Sequence, residues 1–344
     1  MDISYLILVV GIIMVTIFNF TNGFHDAADM IATAIASRSM TPTIAIIIVT
    51  VFTFAGPFIG GLAVANTIGE FVEVNPTNTA IAQNVVISAI MAAISYNLIT
   101  WRLGLPSSSS NSLTSGLIGS GLFLLGEESI HWGIEALMYG KIVGFMKVIT
   151  GMLFSPLAGF IVGFLLIKLL LRILRRVTIK SKRFFIISQY FTVSWLAFSH
   201  GTNDAQKGIG IAAMLLYASG IYEQFTVPDW VIFLCAFAIT FGTMFGGWSI
   251  IKTVGFGLYK IKLVHSLADQ IGSAAVILAS SVIGAPTSTT QVVTTTLLGV
   301  GSGEHPHHVR WGKAKSIALG WLFNIPSSML LGVIYSYLLS FIIH

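Results

Sequence analysis

Two aspartates stand in stretches of chain that otherwise avoid charge. Asp26 lies within residues 22–28, which read NGFHDAA, and Asp204 within residues 200–206, which read HGTNDAQ. Each has a glycine and an amide nearby, Gly23 and Asn22 in the first motif, Gly201 and Asn203 in the second. A carboxylate at the centre of a membrane span costs at least about 2.5–3.5 kcal/mol on insertion scales, so it is placed there to meet a cation, a partner charge or water. A solvated position at a loop end is the plainer alternative. Recurrence of the aspartate in two related motifs favours the functional reading.

A second chemistry is carried by hydroxyls. Pro106 is followed by Ser107, Ser108, Ser109 and Ser110, and Pro286 by Thr287, Ser288, Thr289 and Thr290. Proline stops the preceding helix and pre-sets the first turn of the next. A helix starting there presents free N–H groups and its positive dipole end, which suits an anion. Four hydroxyls add donors without fixed charge, so an anion held by them can be released again. Small residues also let membrane helices pack closely, and that account is preferred for Gly116, Gly119, Gly121, Gly299 and Gly301. The hydroxyls run consecutively instead of lining one face, so packing does not explain them. Asn111 and Gln291 occupy matching places and are expected to orient the tips. Asp29 and Lys207 also match, three residues after each aspartate; they either pair, or Lys207 touches the anion, or both are solvated. His305, His307 and His308 beside Glu304 lack zinc-ligand spacing and read as a polar connecting loop.

Elements that could hold these groups must cross a bilayer. Of 344 residues, 55% are hydrophobic and 9% charged, and the mean hydropathy is +0.88. A soluble domain carries roughly 25% charged residues, so this chain cannot cover itself with a water-facing surface. Apolar runs such as 44–65 and 230–251 reach the roughly 20 residues a span needs. The run 3–20 has no basic residue before it and no small-residue cleavage site after it, and is expected to belong to the mature protein. The single cysteine, Cys235, excludes a disulfide framework and Cys-based metal sites. The net charge of +5 is concentrated in a few loops, which signals orientation and not nucleic-acid binding.

Pro286 follows Pro106 by 180 residues and Asp204 follows Asp26 by 178, so two unrelated motifs recur at nearly one offset. The chain is a duplication. Between the copies lie Arg172, Arg175, Arg176, Lys180, Lys182 and Arg183 with no acid, which makes 172–183 a cytoplasmic linker between units at 1–171 and 184–344. Glu70, Glu73, Glu127, Glu128 and Glu135 flank the first hydroxyl segment. Lys252, Lys260, Lys262, Arg310, Lys313 and Lys315 flank the second. The first segment is thus expected to leave and return outside, the second inside, with the basic loops carrying the greater topogenic weight. Copy one offers a span over 3–40 broken at its motif, one over 43–65, a hairpin around Pro106 and one span within 141–171. About five crossings per unit is odd, so the second unit must be inverted. The expectation is an all-α polytopic membrane protein of two inverted repeats, each with a helical hairpin whose Ser/Thr-rich tip points to the centre.

At these residues the sequence resembles the inorganic phosphate transporter family, which includes low-affinity phosphate carriers and sodium–phosphate symporters. The resemblance rests on NGFHDAADMIAT around Asp26, SHGTNDAQKGIG around Asp204, and GLPSSSSNSL and GAPTSTTQVV at the tips. It implies two inverted repeats, hairpins meeting at a central phosphate, a homodimer, and a place in the cell membrane. It also implies that Ser107, Ser108, Ser109, Thr287, Ser288 and Thr289 hold phosphate, and that Asp26, Asp204, Asn22 and Asn203 serve the coupling cation. Ser110, Thr290, Asn111, Gln291 and Lys207 would support them. The family usually has histidine where Asn111 and Gln291 stand and asparagine where Asp29 stands. Loss of two ionisable groups beside the anion favours Na⁺ over H⁺, since Na⁺ needs only oxygen ligands. No enzyme cofactor is expected.

The competing substrate is another tetrahedral oxyanion such as sulfate. Sulfate takes no proton at neutral pH and needs no acceptor for an anion O–H, so two aspartates favour phosphate. An enzyme is disfavoured, because no H-E-x-x-H, G-x-S-x-G or phosphate-loop signature occurs. An anion channel is disfavoured because paired inverted hairpins suit alternating access.

Overall fold

The computed structural model describes residues 3–74, 78–176, 182–246 and 248–343, and among these it is all-helical. The middle of the basic linker, 177–181, lies outside the described residues. Hydrocarbon offers no partner for a backbone N–H or C=O, so an apolar chain that stays in a bilayer must close every bond within its own helices. The helices in order are α1 (Ile3–Ala36), α2 (Pro42–Ile59), α3 (Ala63–Glu70), α4 (Thr79–Arg102), α5 (Ser109–Leu124), the short α6 (Ile134–Met138) and α7 (Gly144–Ile173). Then come α8 (Lys182–Ala218), α9 (Asp229–Thr243), α10 (Trp248–Gly257), α11 (Leu263–Ile283), α12 (Thr289–Glu304) and α13 (Trp311–Leu339). Six of them, α1, α2, α4, α7, α11 and α13, are long and apolar enough to cross a membrane. α8 is longer still at 37 residues but carries the polar run 199–207. The outer faces fit lipid: Leu153, Leu157, Ile161 and Leu165 recur every four residues along α7 and are all about half exposed or more.

Apart from α6, the helices of the two halves correspond in order and approximate length, α1 with α8, α2 with α9, and so on to α7 with α13. Their contacts correspond too, with the halves exchanged. α5 packs on α13 and α12 on α7; α2 packs on α8 and α9 on α1. The halves therefore interlock, and neither has a core of its own. The glycines shared by the two motifs show why those positions carry no side chain. A Cβ on Gly23 would fall 1.9 Å from the Ile239 carbonyl oxygen, and one on Gly201 would fall 2.2 Å from that of Thr53. Gly119 and Gly299 bring α5 and α12 equally close to the Met329 and Phe160 carbonyls, as the packing account of those glycines expects.

Two local expectations are corrected. α1 and α8 are not broken at their motifs; each runs as one helix through its aspartate. Neither motif contains proline, and tip side chains satisfy the carboxylates, so nothing requires the backbone ladder to open. The prolines, in turn, are not the first helical residues of the tips. Ser108 and Ser288 are the N-caps, extended in backbone, and each accepts a hydrogen bond from the backbone N–H three residues on, Asn111 at 3.1 Å and Gln291 at 3.3 Å. Pro106 and Pro286 lie two residues before the cap.

Candidate functional site

The N-termini of α5 and α12 meet head-on beside the midpoints of α1 and α8. Ser110 Oγ donates to the Thr287 carbonyl oxygen at 2.7 Å, so the two tips touch directly. Side chains on α13 and α8 hold them there. Asn324 Nδ2 donates to Ser107 Oγ at 3.1 Å and to the Ser108 carbonyl at 2.8 Å, while Trp321 Nε1 donates to the Pro106 carbonyl at 3.1 Å. On the other tip, Asn203 Oδ1 accepts from the Thr287 N–H at 3.4 Å, and Asn203 Nδ2 donates to Ser281 Oγ at 2.9 Å.

The aspartates sit under these tips and are buried. Asp26 accepts from Ser109 Oγ at 3.4 Å through Oδ2 and from Thr290 Oγ1 at 3.0 Å through Oδ1, and His25 Nδ1 lies 2.9 Å from that same Oδ1. Asp204 accepts from Thr289 Oγ1 at 2.8 Å and from Lys207 Nζ at 2.6 Å. Asn22 ties the halves together, accepting from Ser109 Oγ at 2.6 Å and donating to Asp204 at 3.4 Å. One ligand atom each from Asp26, Asp204 and His200 lie within 4.8 Å of one another, an arrangement that could hold a cation. The two carboxylates supply the oxygen ligands a hard cation prefers.

Asp29 and Lys207 are both fully buried, which removes the solvated reading. Each reaches the fourth hydroxyl of the opposite tip. Thr290 Oγ1 donates to Asp29 at 2.7 Å, and Lys207 Nζ donates to Ser110 Oγ, and also to the Thr287 carbonyl at 2.8 Å. Lys207 is thus the positive charge lying against the junction of the tips. Asn111 and Gln291, expected to orient the tips, lie on the first turns and bond to the caps through their backbone N–H, while Asn111 Oδ1 has no partner. Asn203 departs from its expected company: it grips the backbone of the second tip, while Asn22 touches both carboxylate neighbourhoods. Glu304 does not gather the nearby histidines; it pairs with Lys262 at 2.9 Å and with His265.

The caps occupy the hydroxyl oxygens of Ser108 and Ser288 as acceptors, leaving their O–H hydrogens free to donate. The first-turn N–H groups of Ser109, Ser110, Thr289 and Thr290 have no intrahelical partner. Thr287 Oγ1 is buried without any hydrogen-bond partner, as are His25 Nε2 and His200 Nε2. Unsatisfied buried polar atoms are costly, at about 1–3 kcal/mol each. Those beside the tips and the aspartates are open to a ligand bound there. Among the described residues, four buried aspartates, Asp26, Asp29, Asp204 and Asp269, face one buried lysine, Lys207. Buried charges of one sign require compensation. A bound anion would add negative charge to a cluster already rich in carboxylates.

Sequence reasoning missed Asn324, Ser281 and His200 as members of the site. Asn324 stands two residues before Pro326 in an otherwise apolar span, a buried amide that could have been questioned. Ser281 gives no signal, since serine is ordinary in membrane helices.

Comparison with known proteins agrees with this geometry. The sequence profile of the phosphate transporter family matches residues 22–332. The chain is 35% identical to a probable low-affinity inorganic phosphate transporter of Bacillus subtilis (strain 168), over 99% of this chain and 100% of that one. It is 36% identical to a protein of the same description from Mycobacterium tuberculosis (strain ATCC 25618 / H37Rv), over 99% of this chain and 80% of that one. A solved structure, described as the sodium-dependent phosphate transporter, shares the fold with a TM-score of 0.80 at 22% identity, covering 98% of this chain and 99% of that one. These relatives are transporters and not enzymes. With its multiple apolar helices and its paired hydroxyl tips, the chain belongs to the phosphate transporter family.

Proposed function

We propose that the chain imports inorganic phosphate together with a cation, Na⁺ in the first instance, by alternating access of two inverted repeats. The units are 1–171 and 184–344, and phosphate binds between the tips through Ser107, Ser108, Ser109, Thr287, Ser288 and Thr289. The observation that carries this reading is the sharing of donors at the centre. Ser109 and Thr289 now donate to Asp26 and Asp204, the same hydroxyls that would hold an anion, and Thr290 beside them donates to Asp26 and Asp29. A cation on Asp26 and Asp204 satisfies the carboxylates in their place and frees those hydroxyls. Cation binding therefore favours phosphate binding, and linkage makes the effect reciprocal. Neither ion is well accommodated alone, which is the requirement for symport. The reading is supported by the relatives, which are described as phosphate transporters, and by the sodium dependence in the description of the structural neighbour.

Proton coupling has one specific observation on its side. His25 and His200 stand at the carboxylates with unpartnered Nε2 atoms, so the centre does not lack ionisable groups. Equilibrium phosphate binding to purified protein separates the readings. Binding that tightens with Na⁺ at fixed pH, and Na⁺ binding that tightens with phosphate by the same factor, is expected. Phosphate affinity indifferent to Na⁺ and set by pH would give the coupling to the proton.

A further inference from the structure

Lys207 uses every donor it has to stay where it is. An ammonium carries three N–H donors and no acceptor. In Lys207 one goes to Asp204 Oδ1 at 2.6 Å, one to the Thr287 carbonyl oxygen at 2.8 Å and one to Ser110 Oγ. The side chains of Lys207 and Asp204 have no exposed surface. Their partners come from α8 itself, from the second tip and from the first, so the ammonium sits where three elements converge. None of its N–H groups is left over for an anion. To reach a phosphate between the tips, Lys207 would have to release Asp204 and leave a buried carboxylate uncompensated.

A carboxylate, a main-chain carbonyl and a hydroxyl, all oxygen and all converging on one point, are the ligands a hard cation takes. The first half shows that contact with the tip does not by itself require a lysine. At the 178-residue offset Lys207 corresponds to Asp29, and at the 180-residue offset Thr290 corresponds to Ser110. Thr290 Oγ1 donates to Asp29 at 2.7 Å, and Ser110 Oγ accepts from Lys207, so one contact is made twice with opposite charge. The hydroxyl serves either partner. The positive charge on α8 therefore answers to something other than packing, and the group it neutralises is Asp204.

We propose that Lys207 is a resident cation. Its ammonium fills, between Asp204 and the two tips, a place that would otherwise take an exchangeable Na⁺, and so lowers by one the number of cations that phosphate binding requires. Tethered to α8, that charge stays with the protein when the substrate leaves and draws on no ion gradient. Asp204 Oδ2, which meets the Asn22 amide at 3.4 Å, stays available with Asp26 to the exchanging ion. The proposal rests on the cation-coupled reading above and deepens it, since it assigns the residue that sets the cation count.

The test is equilibrium binding of radiolabelled phosphate to the purified protein across a range of Na⁺ at fixed pH and ionic strength. Lys207→Asn removes the ammonium and leaves an amide oxygen to complete the cage. It is expected to weaken phosphate binding at low Na⁺ and to recover it at high Na⁺. Below saturation, each tenfold rise in Na⁺ should improve affinity by a further factor of about ten over the wild-type response, the linkage of one added ion. Lys207→Gln keeps more of the packing, should behave alike, and decides the matter if Lys207→Asn does not fold. Affinity in the variants that is unchanged, or lowered by the same factor at every Na⁺ concentration, would overturn the resident cation. A wild-type protein indifferent to Na⁺ beside variants that depend on it would remove sodium symport and keep the resident cation. Indifference in the wild type and both variants would remove both.

Discussion

At the level of single residues, a cation and an anion bound at the centre would require carboxylates and hydroxyls to change partner. Asp26 and Asp204 each accept from tip hydroxyls, and Asp26→Asn or Asp204→Asn removes the charge that answers the cation while keeping the shape. Each is expected to abolish concentrative phosphate uptake in a protein that still folds. Normal uphill uptake by either variant would exclude that aspartate from the mechanism. Thr287 Oγ1 is the clearest donor waiting for the anion, because it is buried and has no other partner. Thr287→Val should weaken phosphate binding by about tenfold to a hundredfold, given the roughly 1.5–3 kcal/mol of a bond to a charged group. Ser120→Ala should leave it unchanged, since Ser120, three turns along α5 from the tip, bonds the Val85 carbonyl of α4 and the Leu117 carbonyl of its own helix. Isothermal titration of phosphate at saturating cation reads both. Ser108→Ala is a less specific probe, because the side chain caps α5, and loss of a cap costs about 0.5–2 kcal/mol of stability by itself. The aspartates and the hydroxyl runs were legible in the sequence because charge and consecutive hydroxyls are anomalous in an apolar chain. Asn22 and Asn203 were legible as residues but not in their separate tasks, which depend on the side of the helix each faces.

The helices explain what periodicity could and could not reveal. Duplication was visible because two motifs recur at nearly one offset, and the corresponding helices keep the same order through to α13 while their spacing varies. Continuity of α1 and α8 was not visible. A polar interruption in an apolar run resembles a break until the partners that satisfy it from another element are known. The exchange of contacts between halves was equally hidden, since packing of α2 on α8 and α9 on α1 is a long-range fact. The glycines at these crossings make the exchange testable. Gly201→Ala places a Cβ 2.2 Å from the Thr53 carbonyl, and backbone cannot yield as a flexible side chain can. It should lower the thermal midpoint of the detergent-solubilised protein by several degrees, whereas Gly320→Ala, where a Cβ meets open space, should not.

For the whole molecule, the proposed orientation, with the basic loop inside and the acidic loops outside, can be checked by labelling. A cysteine at Arg175 should react only from the cytoplasm and one at Glu128 only from outside, against a native Cys235 that is buried and silent. Labelling of both from one side would end the inverted arrangement. The excess of buried aspartate over buried lysine among the described residues belongs to this scale as well, because it is the charge that the proposed cation would offset. The most direct test is radiolabelled phosphate uptake into proteoliposomes under an imposed inward Na⁺ gradient, a proton gradient, or neither, with sulfate as competitor. Accumulation above equilibrium driven by Na⁺ and indifferent to sulfate is the expected result. Uptake that never exceeds equilibrium under either gradient would contradict cation-coupled phosphate transport.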